Sequence, residues 1–340
     1  MSSSPLAQFL KWEKEIPDQI FLRQPVSGKW KTWTYRQAGD EIRRIAAGIK
    51  ATGIPEKSNV AILSKNCAHW PMADLAIMMC GHISIPLYAT LSAHAIQQIL
   101  EHSESKLVII GKLDDYSQQL SGIPQDIIRV GIGMYGIHES NTWEEWVEKN
   151  TPVTETFSWK AEDLLTIIYT SGTTGEPKGV MLTHANMLYQ LEIAPKILQM
   201  SSIDRVLSIL PVWHIFERFM LYSVIFSGTH YYYSNIKDLM EDFVRIKPTL
   251  MASAPRLWEQ IYQKLRERID KTEAFNRELF DLSYGIKQRL HRALNTVNGQ
   301  SGETEEKGFL QGLLEPITAG LTALGLKGPD LYMDSIFLVR

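Results

Sequence analysis

The sequence predicts an α/β protein made of two adjoining α/β lobes, each with a largely parallel sheet flanked by helices. Three observations lead to this fold class. Short apolar runs rich in β-branched residues alternate with longer segments of helical periodicity. A helix between each strand and the next is the arrangement that parallel sheets require. The length of 340 residues exceeds that of one typical compact core but suits two packed lobes.

The individual elements follow from the same patterns. The run NVAILS, at residues 59–64, has the composition of a buried strand, and Gly81 is expected to end the helix that follows it. Ser92 stands where a helix N-cap is expected. Strands are predicted at 59–64, 84–90, 106–111, 126–133, 163–170, 179–184, 204–211, 229–234 and 249–254. Helices are predicted at 67–81, 92–103, 142–150, 185–199, 214–228, 236–248 and 255–296.

Three segments are predicted along the chain. Residues 1–160 form the first α/β lobe, and residues 161–297 form the second, which contains a glycine-rich loop and a long charged helical stretch. The run NGQSGETEEKG consists mainly of small and polar residues, as linkers do. We therefore expect residues 298–340 to be a linker followed by an incomplete C-terminal segment.

Composition and charge exclude several classes of protein. Hydrophobic residues make up 44% and the net charge is -3, so neither disorder nor nucleic-acid binding is indicated. Cys67 and Cys80 lie in apolar surroundings and are expected to be reduced core residues. The N-terminus lacks a secretory signal and no apolar run is long enough to span a membrane, which predicts a cytoplasmic protein. The charged stretch 256–292 predicts a solvated surface, with a peripheral membrane or carrier-protein contact as the alternative.

The densest group of special residues is YTSGTTGEPKGVMLTH, residues 169–184. Its glycines, including Gly179, are expected to leave backbone N–H groups open to an anion. Its hydroxyl side chains add donors, and Lys178 adds a charge suited to phosphate. The stretch does not match the Walker-type phosphate loop, which has a glycine directly before its lysine and a hydroxyl residue directly after it. Here Pro177 directly precedes Lys178 and Gly179 directly follows it. A plain turn rarely needs so many small and hydroxyl residues, so the loop predicts a polyphosphate site.

This stretch resembles, nearly letter for letter, the phosphate-loop signature of the adenylate-forming enzymes. That family includes acyl-CoA synthetases, luciferases and peptide-synthetase adenylation domains. The resemblance is continuous from Trp33 to Leu265. The segments WHIFER (213–218) and PRLWEQIY (255–262) are similar to the long-chain fatty acyl branch and to the related acyl-carrier-protein synthetases.

The resemblance implies activation of a long-chain fatty acid in two steps. The carboxylate attacks the α-phosphate of ATP to give an acyl-adenylate, and the thiol of coenzyme A or of acyl carrier protein then displaces AMP. ATP, Mg²⁺ and coenzyme A are thereby implied. The residues implied for the β- and γ-phosphates are Thr170, Ser171, Gly172, Thr173, Thr174, Gly175, Glu176, Pro177 and Lys178. Thr173 or Thr174 is the hydroxyl residue implied near Mg²⁺.

His214 follows a predicted strand, near the edge where an α/β sheet presents its binding crevice. The resemblance implies a catalytic position for His214, and a satisfied core histidine is the alternative. The residues implied for the acyl and pantetheine region are Trp213, His214, Ile215 and Arg218. Trp213, Phe216 and Phe219 are expected either to line an acyl tunnel or to pack in the core. Glu217 and Arg218 follow His214 by three and four residues, so the spacing places them on the same helix face as His214. The alternative is that they simply pair with neighbouring residues.

Other parts of the family's pattern are not found in the sequence. There is no Tyr-Gly-x-Thr-Glu block for adenine and Mg²⁺, no Thr-Gly-Asp block for ribose, and no C-terminal lid with its lysine. We therefore expect the N-terminal portion of an acyl synthetase, whose partners include the missing C-terminal half. The alternative from another class is a catalytically incomplete nucleotide-binding remnant or a split-enzyme fragment.

Overall fold

The computed structural model describes residues 4–171, 177–271, 278, 281–282 and 284–286. Its helices are α1 (Pro5–Glu15), α2 (Tyr35–Ala51), α3 (His69–Met79), α4 (Ala93–His102), α5 (Tyr116–Leu120), α6 (Trp143–Lys149), α7 (His184–Ile197), α8 (Ile215–Ser227), α9 (Leu239–Ile246) and α10 (Pro255–Asp270). Its strands are β1 (Ile20–Val26), β2 (Lys29–Thr34), β3 (Asn59–Leu63), β4 (Ile83–Leu87), β5 (Leu107–Ile110), β6 (Ile128–Gly131), β7 (Asn141–Thr142), β8 (Leu164–Ser171), β9 (Pro177–Thr183), β10 (Arg205–Ser208), β11 (His230–Tyr233) and β12 (Leu250–Met251). Every element predicted between residues 59 and 254 is present, with somewhat different ends.

The chain divides into two compact units between Ala252 and Ser253. The first unit carries the helices α1 to α9 and every strand found in the described residues. In the second unit, the structure describes α10 and a few residues beyond it. Arg266 of α10 forms an ion pair with Asp281 within this unit. Most of the predicted helical stretch after residue 271, and the predicted segment 298–340, lie outside the described residues.

Seven strands form the larger sheet, in the order β7-β6-β5-β3-β4-β8-β9. All neighbouring pairs are parallel except β8 and β9, which form an antiparallel hairpin at one edge. The central strands β3 and β5 are apolar and almost wholly buried, as is usual where both faces of a parallel sheet are covered. β8 pairs with β4 at Thr166 and Ser84. The hairpin that carries the glycine-rich loop is therefore built onto the larger sheet.

Five strands form the second sheet, in the order β12-β10-β11-β1-β2. β10, β11, β12 and β1 run parallel, whereas β1 and β2 form an antiparallel hairpin. The α/β class with largely parallel sheets and flanking helices is thus confirmed. Each sheet takes strands from both sides of residue 160, since β1 and β2 join β10 to β12 while β8 and β9 join β3 to β7. The predicted boundary between the two lobes, at residues 160 and 161, stays a prediction.

The helix α3 lies at the centre of the core of the first unit. All eleven of its residues are buried, as expected for a helix that is apolar on every side. It packs against α2, whose buried face includes Ile42, Ile45 and Ile49. No helix in the part of the chain that the structure describes is both long and apolar enough to cross a membrane.

Several local predictions are confirmed. Cys67 and Cys80 are buried free thiols, and burial raises the pKa of Cys80 to about 12. Ser92 caps α4, since its Oγ accepts a hydrogen bond from the backbone N–H of Ala95 at 3.3 Å. Gly81 follows α3 with φ of 82°, a left-handed conformation that favours glycine.

Candidate functional site

The glycine-rich loop connects the strands of the β8–β9 hairpin. Thr170 pairs with Lys178 and Ser171 pairs with Pro177, so the strands remain paired up to the loop. The predicted phosphate-binding residues Gly172, Thr173, Thr174, Gly175 and Glu176 lie outside the described residues. The structure therefore describes the base of the predicted phosphate site.

Two side chains of this base reach solvent. Thr170 and Lys178 are both exposed, and the Thr170 hydroxyl lies 3.5 Å from the backbone carbonyl oxygen of Lys178, to which it donates. A lysine on the end of a paired strand presents a positive charge from a rigid mount, as an anion site requires. The base is thus compatible with phosphate binding.

Gly179 is explained by packing within the hairpin. It lies opposite Tyr169 in the β8–β9 pairing. A Cβ atom on Gly179 would lie 2.8 Å from Cγ2 of Ile167 and 3.3 Å from Cζ of Tyr169. An aromatic ring that covers a glycine on the neighbouring strand stabilises such a pair. Side chains of Ile167 and Tyr169 thus fill the space beside Gly179, whereas the expectation that the loop glycines leave N–H groups open to an anion stays a prediction.

Tyr169 also attaches the hairpin to the helix α4. Its hydroxyl lies 2.7 Å from Nδ1 of His102, and the two rings meet edge to face with centroids 5.6 Å apart. Burial raises the pKa of Tyr169, so the phenol stays a neutral hydrogen-bonding group at physiological pH. The strand that leads into the loop is thereby fixed one residue before Thr170.

A small cavity lies beside the hairpin base and has a volume of about 160 Å³. Its lining residues are Pro86, Tyr88, Leu91, Ala95, Gln98, Ile99, Tyr169, Thr170 and Pro177. Tyr88 follows the carboxyl end of β4, and its ring centroid lies 5.2 Å from that of His214 and 6.1 Å from that of Trp213. Burial raises the pKa of Tyr88. Tyr88 thus lies between the hairpin base and the region of His214.

His214 is the N-cap residue of α8 and is exposed. The alternative of a buried core histidine is therefore wrong. Its backbone carbonyl accepts the N–H of Arg218 at 3.1 Å, which starts the helix, and its side chain does not cap the helix. The N-terminal end of a helix carries a partial positive charge, which favours an anion nearby. The imidazole is thus exposed and lies beside the ring of Tyr88.

The turn before His214 is held by Asn66, which follows β3. The side-chain oxygen of Asn66 accepts the backbone N–H of Val212 at 2.9 Å, and its amide nitrogen donates to Ser208 Oγ at 2.9 Å. The same amide nitrogen also donates to the backbone carbonyl of Leu210. The larger sheet thus fixes the backbone that presents His214.

An apolar groove runs between β9, α7 and the start of α8, with a volume of about 900 Å³. Its lining residues are Met181, Leu182, Ala185, Asn186, Met187, Tyr189, Gln190, Ile215, Phe216 and Phe219. None of these residues carries a charge, and Phe216 remains 52% exposed. Ile215 therefore lies on the groove together with Phe216 and Phe219, two of the three aromatic residues predicted for an acyl tunnel. Trp213 is 8% exposed and faces Tyr88 instead.

Glu217 and Arg218 point into the core, although their spacing places them near His214 in sequence. Glu217 is 1% exposed, and one of its oxygens accepts hydrogen bonds from Ser208 and Tyr231, each at 2.6 Å. Arg218 is wholly buried and forms an ion pair with Asp74 at 2.6 Å. The alternative that both residues pair with neighbouring side chains is what the structure shows. The guanidinium of Arg218 does not line the groove, and the assignment of Arg218 to the acyl and pantetheine region stays a prediction.

The predicted magnesium ligands cannot be placed, since Thr173 and Thr174 lie outside the described residues. Within the described ranges, no group of three or more His, Cys, Asp or Glu side chains is arranged to hold a metal ion. Magnesium that accompanies a nucleotide takes its ligands from phosphate oxygens, water and one or two protein oxygens. The assignment of Mg²⁺ to Thr173 or Thr174 stays a prediction.

Sequence patterns alone missed Tyr88, Asn66 and His102. Tyr88 and Asn66 both follow carboxyl ends of central parallel strands, where ligands of α/β sheets bind, so their positions in the sequence could have predicted them as site residues. The position of His102 could not, because its contact with Tyr169 depends on where α4 packs.

A family model described as AMP-binding enzyme matches residues 9–302 of the chain. Long chain acyl-CoA synthetase 2 of Arabidopsis thaliana is 29% identical over 318 residues, which are 84% of this chain and 47% of that protein. A chloroplastic long-chain-fatty-acid acyl-carrier-protein ligase of the same plant is 29% identical over 280 residues, or 76% of this chain and 38% of the relative. The chain thus spans less than half the length of these relatives.

Solved structures share the fold at lower sequence identity. A long-chain-fatty-acid-CoA ligase, FadD1, from Archaeoglobus fulgidus superposes with a TM-score of 0.69 at 19% identity and covers 78% of this chain and 55% of that one. The N-terminal domain of FACL13 from Mycobacterium tuberculosis gives a TM-score of 0.66 at 21% identity, with 77% and 65% covered. With the family match over most of its length, the chain belongs to the AMP-binding enzyme family.

Proposed function

We propose that the chain binds ATP at residues 170–178 and activates a long-chain fatty acid as its acyl-adenylate. The observation that carries this proposal is the base of the hairpin, where exposed Thr170 lines a cavity together with Tyr88 and pairs with exposed Lys178 on the neighbouring strand. Membership of the AMP-binding enzyme family supports the nucleotide, and the printed names of the relatives support the fatty acid.

The proposed reaction uses the charges found at this base. An oxygen of the fatty acid carboxylate attacks the α-phosphorus of ATP, and the bond from that phosphorus to the bridging oxygen breaks. Pyrophosphate leaves with the electron pair of the broken bond. Lys178 and the hydroxyl residues of the loop stabilise the charge that accumulates on the leaving group. His214 is proposed to contact the reacting phosphate or carboxylate from the start of α8, where the helix end favours negative charge.

The apolar groove is the proposed place for the acyl chain. It is lined by uncharged residues, and its residues Ile215 and Phe216 immediately follow His214. Burial of methylene groups in such a groove contributes about 0.8 kcal/mol for each group, so a long chain binds far better than a short one. In this proposal, a fatty acid whose acyl chain lies in the groove has its carboxylate within reach of His214.

The second step and its partners are proposed on the same grounds. A thiol sulfur of coenzyme A or of acyl carrier protein attacks the acyl carbon, the bond to the phosphate oxygen breaks, and AMP leaves. Relatives of both kinds occur, one named for acyl carrier protein and one for coenzyme A. No block of this sequence resembles the family's adenine and ribose blocks. A further polypeptide segment that adds those contacts is proposed to strengthen ATP binding, whereas residues 170–178 are proposed to hold the phosphates without it. A peripheral membrane contact stays a prediction.

ATP binding by a loop variant tests the proposed nucleotide site. Lys178→Ala combined with Thr174→Ala removes two donors to phosphate, one a charged ammonium and the other a neutral hydroxyl. We therefore expect the Kd for Mg·ATP to rise by about tenfold or more. Isothermal titration of the 340-residue chain measures this change. Lys149→Ala is the matched control, because Lys149 is 70% exposed and lies on α6, next to the opposite edge of the same sheet. Equal ATP affinity in the loop variant and the control would show that residues 170–178 do not hold the phosphates.

A further inference from the structure

Arg218 is the centre of a buried polar network. Its Nη1 donates to Oγ1 of Thr166 at 2.6 Å, and its Nη2 donates to Oδ1 of Asp74 and Oγ of Ser84, each at 2.6 Å. Its Nε donates to the hydroxyl of Tyr222 at 3.0 Å, and that hydroxyl donates to Oδ2 of Asp74 at 2.6 Å. One guanidinium thus contacts α3, β4, β8 and a second position on α8.

The contacts of Arg218 coincide with the point at which β8 is attached to the sheet. Ser84 and Thr166 are the residues at which β4 and β8 pair. Thr166 Oγ1 also donates to the backbone carbonyl of Ser84 at 2.7 Å. A slip of one residue would turn the Thr166 side chain to the other face of the sheet and break both bonds. The network therefore specifies the register of β8.

Stability alone does not explain a charged residue at this position. Taking a guanidinium and a carboxylate out of water is costly. Proteins in which apolar side chains of similar size replace such a buried pair are often at least as stable as the original. The best attested benefit of a buried polar group is that it fixes one register among several. Arg218 has the contacts that such a role requires, because its partners lie on four different elements.

The two elements that Arg218 joins carry the two parts of the proposed site. β8 continues from Thr166 to Thr170 and into the loop, while Arg218 lies in the first turn of α8, whose N-cap is His214. We propose that Arg218, acting through Thr166, is a positioning residue that fixes the loop-bearing β8–β9 hairpin relative to the start of α8. Any effect of this contact on ATP binding rests on the proposed function, whereas its effect on the position of the hairpin does not.

Three substitutions in the full 340-residue chain test this inference. Thr166→Val keeps the shape of the side chain and removes the hydroxyl, and Thr166→Ser keeps the hydroxyl. Ser223→Ala is the matched control, since Ser223 is a buried hydroxyl residue on α8 that bonds only the carbonyl of Phe219 in the described structure, at 2.9 Å. The readouts are amide hydrogen exchange in β8 and β9, compared with β5 and β6, and the Kd for Mg·ATP.

We expect Thr166→Val to speed exchange in β8 and β9 by about tenfold relative to β5 and β6, because a hydrogen bond to a charged group is lost. Thr166→Ser and Ser223→Ala should leave this ratio unchanged. Unchanged exchange in Thr166→Val, or an equal increase in all four strands, would overturn the inference. If the ratio rises as expected, weaker ATP binding in Thr166→Val extends the positioning role to the nucleotide. If the wild-type chain binds no ATP, the proposed function fails and the exchange ratio still decides the positioning role.

Discussion

Replacing Arg218 by methionine is expected to lower the free energy of unfolding by about 3 to 5 kcal/mol, because the substitution leaves the Asp74 carboxylate buried without its partner. Asp74 is almost wholly buried, as is Arg218, so water cannot replace the lost ion pair. Burial alone would lower the pKa of Arg218, but the Asp74 carboxylate and Tyr222 shift this pKa upward. The charged form is thus the one that the native fold requires.

Urea unfolding of the wild type and of Arg218→Met measures this cost. Arg36→Met is the matched control, since the Arg36–Asp18 pair is 63% and 83% exposed and should contribute at most about 0.5 kcal/mol. Adding Asp74→Leu to Arg218→Met should recover part of the loss, because the unpaired charge is then removed. A loss in Arg218→Met as small as that of the control would contradict the account of this network.

Glu217→Gln is expected to remove a pH dependence of stability. Burial raises the pKa of Glu217 from 4.5 to about 7, against the opposing effect of the hydrogen bonds from Ser208 and Tyr231. The folded state therefore holds a proton between pH 4.5 and 7 that the unfolded chain releases, so the wild type loses stability as the pH rises through this window. A shift of this size corresponds to about 3 kcal/mol.

The measurement is urea unfolding of both proteins at several values between pH 4.5 and 8. The stability of the wild type minus that of Glu217→Gln should fall by about 3 kcal/mol across the range and level off above pH 7. The difference isolates Glu217 from buried histidines such as His184, whose lowered pKa of about 4 produces a change of opposite sign. A difference that is constant with pH would mean that Glu217 does not titrate in this window.

Much of the fold could be predicted from sequence because its signals are local. β3, β4 and β5 are short apolar runs separated by helices, and a parallel sheet follows from that order. The glycine-rich loop also appears where its composition places it, between the paired strands β8 and β9. The N-cap Ser92 is a further local signal that the structure confirms.

What the sequence could not provide depends on packing between distant segments. β1 pairs with β11, more than two hundred residues later, and no local pattern indicates this neighbour. Arg218 has the spacing of a residue beside His214, yet its partners come from α3, β4 and β8, and only their packing decides that it is buried. Gly179 is likewise explained by two side chains on the neighbouring strand, those of Ile167 and Tyr169.

Palmitate-dependent release of pyrophosphate from Mg·ATP by the 340-residue chain tests the proposed activity most directly. The account predicts release that requires both ATP and the fatty acid and that falls in the Lys178→Ala variant, because the leaving group loses a stabilising charge. ATP binding without any palmitate-dependent release would contradict it, and would favour the nucleotide-binding remnant or split-enzyme fragment instead.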